Sequence, residues 1–74
     1  MTTTTITMTG TEFGRRARER FVRDFGRGPL GPNRACGPEE RRTFADHGAA
    51  LEAAPEDETE GPEWMNAFYR AYYA

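Results

Sequence analysis

Residues 9–26, TGTEFGRRARERFVRDFG, decide the fold class of this chain. Apolar residues recur at every fourth position of this stretch, so they share one face of a helix. These residues are Phe13, Ala17, Phe21 and Phe25. Thr9 and Glu12 have the spacing of a capping box, in which side-chain oxygens accept hydrogen bonds from the backbone N–H groups at a helix start. With Gly26 or Gly28 placed to end it, the stretch predicts an amphipathic helix over residues 12–26.

The opposite face of this predicted helix is basic. Its arginines are Arg15, Arg16, Arg20, Arg23 and Arg27. Clustered arginine contacts phosphates in nucleic-acid-binding proteins, so these residues are a candidate nucleic-acid-binding face. Glu12 and Glu19 precede Arg16 and Arg23 by four positions, which pairs part of the positive charge within the helix. A solvated helix face is therefore the alternative interpretation.

A second helix is predicted over residues 38–53. Pro38 stands at the first helical position and acidic residues follow it, an arrangement that suits the fixed φ of proline and the helix dipole. Pro55 ends the helix because it cannot continue the backbone hydrogen bonding. We expect its core-facing stripe to consist of Phe44, His47, Gly48 and Leu51.

A third helix is predicted over residues 63–73, after a second Gly-Pro-Glu sequence at residues 61–63. One face of this helix is apolar and largely aromatic. It contains Trp64, Met65, Phe68, Tyr69, Ala71 and Tyr72. Aromatic residues also favour β-structure, so a strand is the alternative for this segment.

The segments between the helices are assigned from composition. Residues 1–10 are rich in threonine with Ile6 and Met8 alternating, which indicates a short strand or a frayed tail. Residues 27–37 form a Gly/Pro loop, and residues 54–62 form an acidic linker. Residues 1–74 are too few for two cores, so we expect one mostly α, three-helix domain with a short N-terminal strand as an option; a small α+β domain is the alternative.

Charge is distributed unevenly along the chain. Residues 1–42 carry nine arginines against five acidic residues, whereas residues 43–74 carry one arginine against seven. The two parts therefore have net charges of +4 and −6 within a total of −2. Such a split favours docking between the two ends or binding to two different partners.

Several classes of function are disfavoured by residue content. Cys36 is the only cysteine, so no internal disulfide forms and a reducing cytoplasm is expected. No basic and apolar leader or long apolar stretch is present, so neither export nor a membrane location is expected. Structural zinc needs four ligands of the His/Cys type, and only Cys36 and His47 are available. With no serine or lysine, and with these two residues in different predicted elements, we expect no enzyme activity and no cofactor.

The sequence therefore favours a non-enzymatic protein-interaction module that occupies a basic protein surface. Its candidate partner-binding residues are the linker acids and the C-terminal aromatics, since tyrosine and tryptophan are enriched at interfaces. They are Glu56, Asp57, Glu58, Glu60, Trp64, Tyr69, Tyr72 and Tyr73. The alternative for the aromatic residues of this set is that they form the hydrophobic core and bind no partner.

In size and composition, though not in any motif, the chain is similar to phage and mobile-element inhibitors of host machines, including anti-CRISPR proteins. The chain has too few large apolar residues to bury the area that folding requires, so we expect either a homodimer or a domain that gains stability on binding a partner. A nucleic-acid-binding adaptor that uses the arginine face is the alternative function.

Overall fold

In the computed structural model, residues 8–29 and 37–74 are described, and helices account for 75% of them. The helices are α1 (Gly10–Phe25), α2 (Pro38–Ala53) and α3 (Glu60–Tyr72). The predicted mostly α, three-helix fold is confirmed, and no strand occurs within these described ranges. The predicted N-terminal strand and most of the Gly/Pro loop fall on residues 1–7 and 30–36, which lie outside the described residues.

The ends of α1 follow the expected capping chemistry. The Thr9 hydroxyl accepts a hydrogen bond from the Glu12 backbone N–H at 3.1 Å, so the helix begins at Gly10, two residues earlier than predicted. The Glu12 carboxylate contacts Arg16 at 3.4 Å. Gly26 ends the helix with a φ of 80°, in the left-handed region that glycine adopts without steric cost.

A close approach of backbones joins α1 to α3. Gly10 and Gly14, one turn apart on α1, face Ala67 and Ala71 of α3. A Cβ atom at Gly14 would lie 2.5 Å from the carbonyl oxygen of Phe68, and one at Gly10 would overlap the carbonyl oxygen of Trp64. Small residues on both helices are therefore what permits this crossing.

The core lies mainly between α1 and α3. Its buried hydrophobic residues are Ala17, Phe21, Ala50, Trp64, Phe68 and Tyr72. Phe13 and Phe25 pack against them, which confirms the predicted apolar face of α1. The Tyr72 ring lies 5.2 Å from the Phe68 ring and 6.3 Å from the Phe21 ring between centroids, so aromatic contacts fill most of this space.

The predicted core-facing stripe of α2 is wrong. The side chains of Phe44 and Leu51 are 64% and 63% exposed, and Gly48 is also exposed. His47 alone of that stripe is partly buried. The residues of α2 that face the core are instead Thr43, Asp46 and Ala50. Because large rings from α1 and α3 already fill the core, the space left beside them suits small side chains and an acceptor for the Tyr72 hydroxyl.

Candidate interaction surface

An exposed apolar stripe runs along α2, and we call Phe44, Gly48 and Leu51 the α2 ridge. Their spacings of four and three residues place them on one face of the helix. Among residues 8–29 and 37–74, a Cβ atom at Gly48 would meet nothing within 4 Å, so no neighbour in those ranges requires a glycine there. Sequence reasoning missed this surface because a stripe with this spacing has the same pattern whether it faces a core or a partner.

A buried hydrogen bond between α2 and α3 holds the side of α2 opposite the ridge against the core. The Tyr72 hydroxyl donates to Oδ2 of Asp46 at 2.6 Å, and both residues are buried. Burial and the bond to Asp46 raise the pKa of Tyr72 far above its ordinary value, so the phenol stays protonated. With Asp46 held inward, Phe44 and Leu51 point away from the core.

His47 joins the ridge to the aromatic face of α3. Its Nε2 and the Tyr73 hydroxyl share a hydrogen bond of 2.7 Å, and its ring lies 5.3 Å from the Tyr69 ring. Burial lowers the pKa of His47, although the neighbouring Asp46 opposes that change. Tyr69 is 37% exposed, so it extends the apolar surface beyond α2. These contacts give His47 a structural role at the helix junction.

Two of the aromatic residues predicted to bind a partner are instead part of the core. Trp64 is only 9% exposed and Tyr72 is fully buried, so their assignment to a partner surface is corrected. The Trp64 indole N–H donates to the Met8 carbonyl at 2.9 Å. Tyr73 is partly buried against His47, which leaves Tyr69 as the most exposed of the predicted aromatic residues.

The acidic residues after α2 are exposed. Glu56, Asp57, Glu58 and Glu60 form no ion pair with a cation of residues 8–29 or 37–74. Asp57 has a local role as well, because its Oδ1 accepts from the backbone N–H groups of Thr59 and Glu60 at 2.7 and 2.9 Å. Those bonds lower the pKa of Asp57, Glu60 contributing most, and they explain why α3 begins at Glu60 rather than Glu63.

The five arginines of the candidate nucleic-acid-binding face are all exposed. Three of them contact carboxylates: Arg16 meets Glu12, Arg23 meets Asp24, and Arg27 meets Glu39. The expected pair between Glu19 and Arg23 is replaced by the Arg23–Asp24 contact at 3.5 Å. The face is thus partly neutralised by acids of α1 and α2.

Ion pairs connect the end of α1 to the start of α2. Arg42 contacts Asp24 at 2.7 Å and lies over the Phe25 ring at 5.4 Å, while Arg27 contacts Glu39 at 2.8 Å. The hydrogen bonds from these arginines lower the pKa of Asp24 and of Glu39. Arginines therefore gather at the N-terminal end of α2, whereas its C-terminal end leads into the acidic linker.

Other features of the surface are less developed. A groove of about 340 Å³ lies beside the start of α3, lined by residues that include Met8, Glu60, Glu63 and Trp64. Within residues 8–29 and 37–74, no cluster of histidine, cysteine or acidic side chains could hold a metal ion. None of the helices in those ranges combines the length and the apolar character needed to cross a bilayer.

No protein-family model, curated protein or solved structure matches this chain. Its function is therefore inferred from the surfaces described above.

Proposed function

We propose that this chain is a non-enzymatic protein-interaction module that binds its partner through the α2 ridge. The observation that carries the proposal is the exposure of Phe44 and Leu51, two large apolar side chains on one helix face. Apolar side chains are in short supply in this chain, and contiguous exposed apolar surface marks interaction sites in soluble proteins. Tyr69, beside His47, adds an aromatic group with a polar end to the same region.

The acids next to the ridge specify the charge of the partner. Glu52 lies on exposed α2 surface, and Glu56 and Glu58 follow it in the linker without a cation partner among the described residues. Such acids raise the association rate with a basic surface and disfavour acidic competitors. An inhibitor of the phage type would act in this way in the cytoplasm, by covering a basic surface that another molecule needs.

Capture from the native host tests the proposal. Leu51→Glu places a charge on the ridge, and Ala49→Glu places the same charge on an exposed position of α2 outside the ridge. We expect proteins that co-purify with the tagged wild-type chain, quantified by mass spectrometry, to be lost with Leu51→Glu and kept with Ala49→Glu. Equal recovery with both variants would contradict a role for the ridge.

Nucleic-acid binding is the second candidate, favoured by Arg15 and Arg20, which are exposed and form no ion pair with a described acid. Fluorescence anisotropy with a labelled duplex and a labelled single strand distinguishes the two functions. Micromolar or tighter binding at about 150 mM salt that is lost on Arg15→Gln/Arg20→Gln substitution and retained by Leu51→Glu would replace the first proposal. We expect no binding of that strength.

A further inference from the structure

We infer that the α2 ridge associates with the α2 ridge of a second copy of this chain, with the two helices antiparallel. The inference rests on the proposed function, because it assumes that the ridge is a contact surface, and it identifies the occupant. The ridge is nearly symmetric about Gly48. Phe44 and Leu51 lie on either side of Gly48 at nearly equal separations, so a two-fold axis at Gly48 places Phe44 of each copy opposite Leu51 of the other.

Gly48 lies at the centre of the ridge, between Phe44 and Leu51. A glycine inside a helix is unfavourable relative to alanine, and nothing in the described chain needs its small size at this position. At the centre of two crossing helices, however, the absence of a side chain lets the backbones approach closely. The structure already shows this use of glycine, where Gly10 and Gly14 allow α1 to contact α3.

Charge complementarity selects the antiparallel arrangement. Arg41 and Glu52 are exposed on the same side of the ridge, near its two ends, and neither forms an ion pair with another described residue. Antiparallel pairing brings Arg41 of each copy close to Glu52 of the other. In a parallel pair related by a two-fold axis, this side of the ridge in one copy lies across the contact from the same side in the other, so Arg41 of one copy would not meet Glu52 of the other.

The same arrangement brings the acidic segment of one copy towards arginines of the other. At the N-terminal end of α2, Arg23, Arg27 and Arg42 contact Asp24 or Glu39, whereas Arg41 forms no ion pair with a described residue. Arg41 of the second copy is then the cation that the acidic segment approaches. A ridge on one helix of about 24 Å is smaller than a standard interface of roughly 800 Å² per partner, so the dimer is expected to be weak and reversible.

Exchange of the two charges is the sharpest test. Sedimentation equilibrium of the wild-type chain from about 10 μM to about 1 mM should show a monomer–dimer equilibrium. Arg41→Glu alone and Glu52→Arg alone should each raise the dissociation constant at least about tenfold, because each dimer then contains two like-charge contacts. An equimolar mixture of the two variants should recover the wild-type constant to within about threefold, since the mixed dimer restores opposite charges at both contacts.

Two further variants control for folding and general surface effects. Leu51→Glu should abolish association, whereas Ala49→Glu should change the constant by less than about twofold. Circular dichroism checks that each variant remains helical. If Leu51→Glu does not fold, the charge exchange still tests the inference, because Arg41 and Glu52 are exposed and outside the core.

The outcomes separate this inference from the proposed function. A wild-type chain that stays monomeric at about 1 mM, or single variants whose mixture does not associate, overturns the antiparallel dimer. If that monomer still loses captured proteins on Leu51→Glu substitution, the ridge is a binding site for a different protein and only the further inference fails. If neither association nor capture responds to Leu51→Glu, both are overturned.

Discussion

The buried hydrogen bond between Tyr72 and Asp46 affects both the stability of the fold and the orientation of α2. It joins α2 to α3 inside the core, and the 2.6 Å separation of the two oxygens is typical of a strong bond to a carboxylate. A buried carboxylate that loses its donor bears the full cost of desolvation. This pair, together with the volume that the rings of α1 and α3 leave free, orients α2 so that Phe44 and Leu51 are exposed.

Removal of the Tyr72 hydroxyl should therefore destabilise the fold. We expect Tyr72→Phe to lower the free energy of unfolding by about 1–3 kcal/mol, measured by urea denaturation, because Asp46 is left without a buried donor. In a Tyr72→Phe/Asp46→Ala double variant, the two losses should be clearly non-additive. Additive losses would mean that the two groups contribute independently.

His47 should make stability depend on pH. Burial lowers its pKa in the folded chain below the value of 6.5 that it has when unfolded, so the unfolded chain takes up the proton first. Its contribution is complete above about pH 6.5 and is lost as the pH falls through that value toward the folded pKa. Between about pH 7.5 and 5, the free energy of unfolding should fall more for wild type than for His47→Gln.

The comparison with His47→Gln isolates this group from the carboxylates. Asp24, Glu39 and Asp57 also have lowered pKa values, and as acids they lose stabilisation as the pH falls through their folded pKa values. Both proteins share that loss, so the difference between their pH profiles reports His47. Parallel profiles over the whole range would show that His47 does not titrate differently in the folded chain.

Among the secondary-structure elements, the contact between α1 and α3 depends on glycine and the exposed face of α2 does not. Gly14→Ala would force a Cβ against the Phe68 carbonyl, so we expect it to destabilise the fold by about 1–3 kcal/mol. Gly48→Ala meets no neighbour in the part of the chain that the structure describes and removes the helix cost of glycine, so it should stabilise the monomer by about 0.5–1 kcal/mol. Urea denaturation at low protein concentration compares them; a destabilising Gly48→Ala would contradict the described geometry.

Helix boundaries could be predicted from local sequence more reliably than helix faces. The start of α2 at Pro38 and the end of α1 at Gly26 follow from the φ preferences of proline and glycine, which act within a single residue. Helix α3 begins three residues earlier than predicted, because the Asp57 side chain caps its start by accepting a hydrogen bond from a backbone N–H group. An Asp among three glutamates is a weak signal, although aspartate favours such positions.

In the whole molecule, the start of α2 carries arginines together with acidic residues, whereas its end leads into an acidic linker. The ion pairs of Asp24 and Glu39 hold arginines beside the start of that helix, and the linker acids lie beyond its end. The net charge of −2 conceals this arrangement. We expect this arrangement to contribute to the proposed self-association and to the proposed binding of a basic partner.

The presence of three helices, the apolar face of α1 and the overall charge asymmetry follow from the sequence, because caps, helix periodicity and ionised side chains act over one or two turns. The rotation of α2 does not, since its hydrophobicity favours burial of Phe44 and Leu51. Only the packed structure decides that question: rings of α1 and α3 occupy the core, and the buried Tyr72 hydroxyl needs the Asp46 carboxylate. A buried polar group without a partner costs about 1–3 kcal/mol, comparable to the gain from burying one apolar side chain, so the hydrogen bond and the available volume together determine which face of α2 meets solvent.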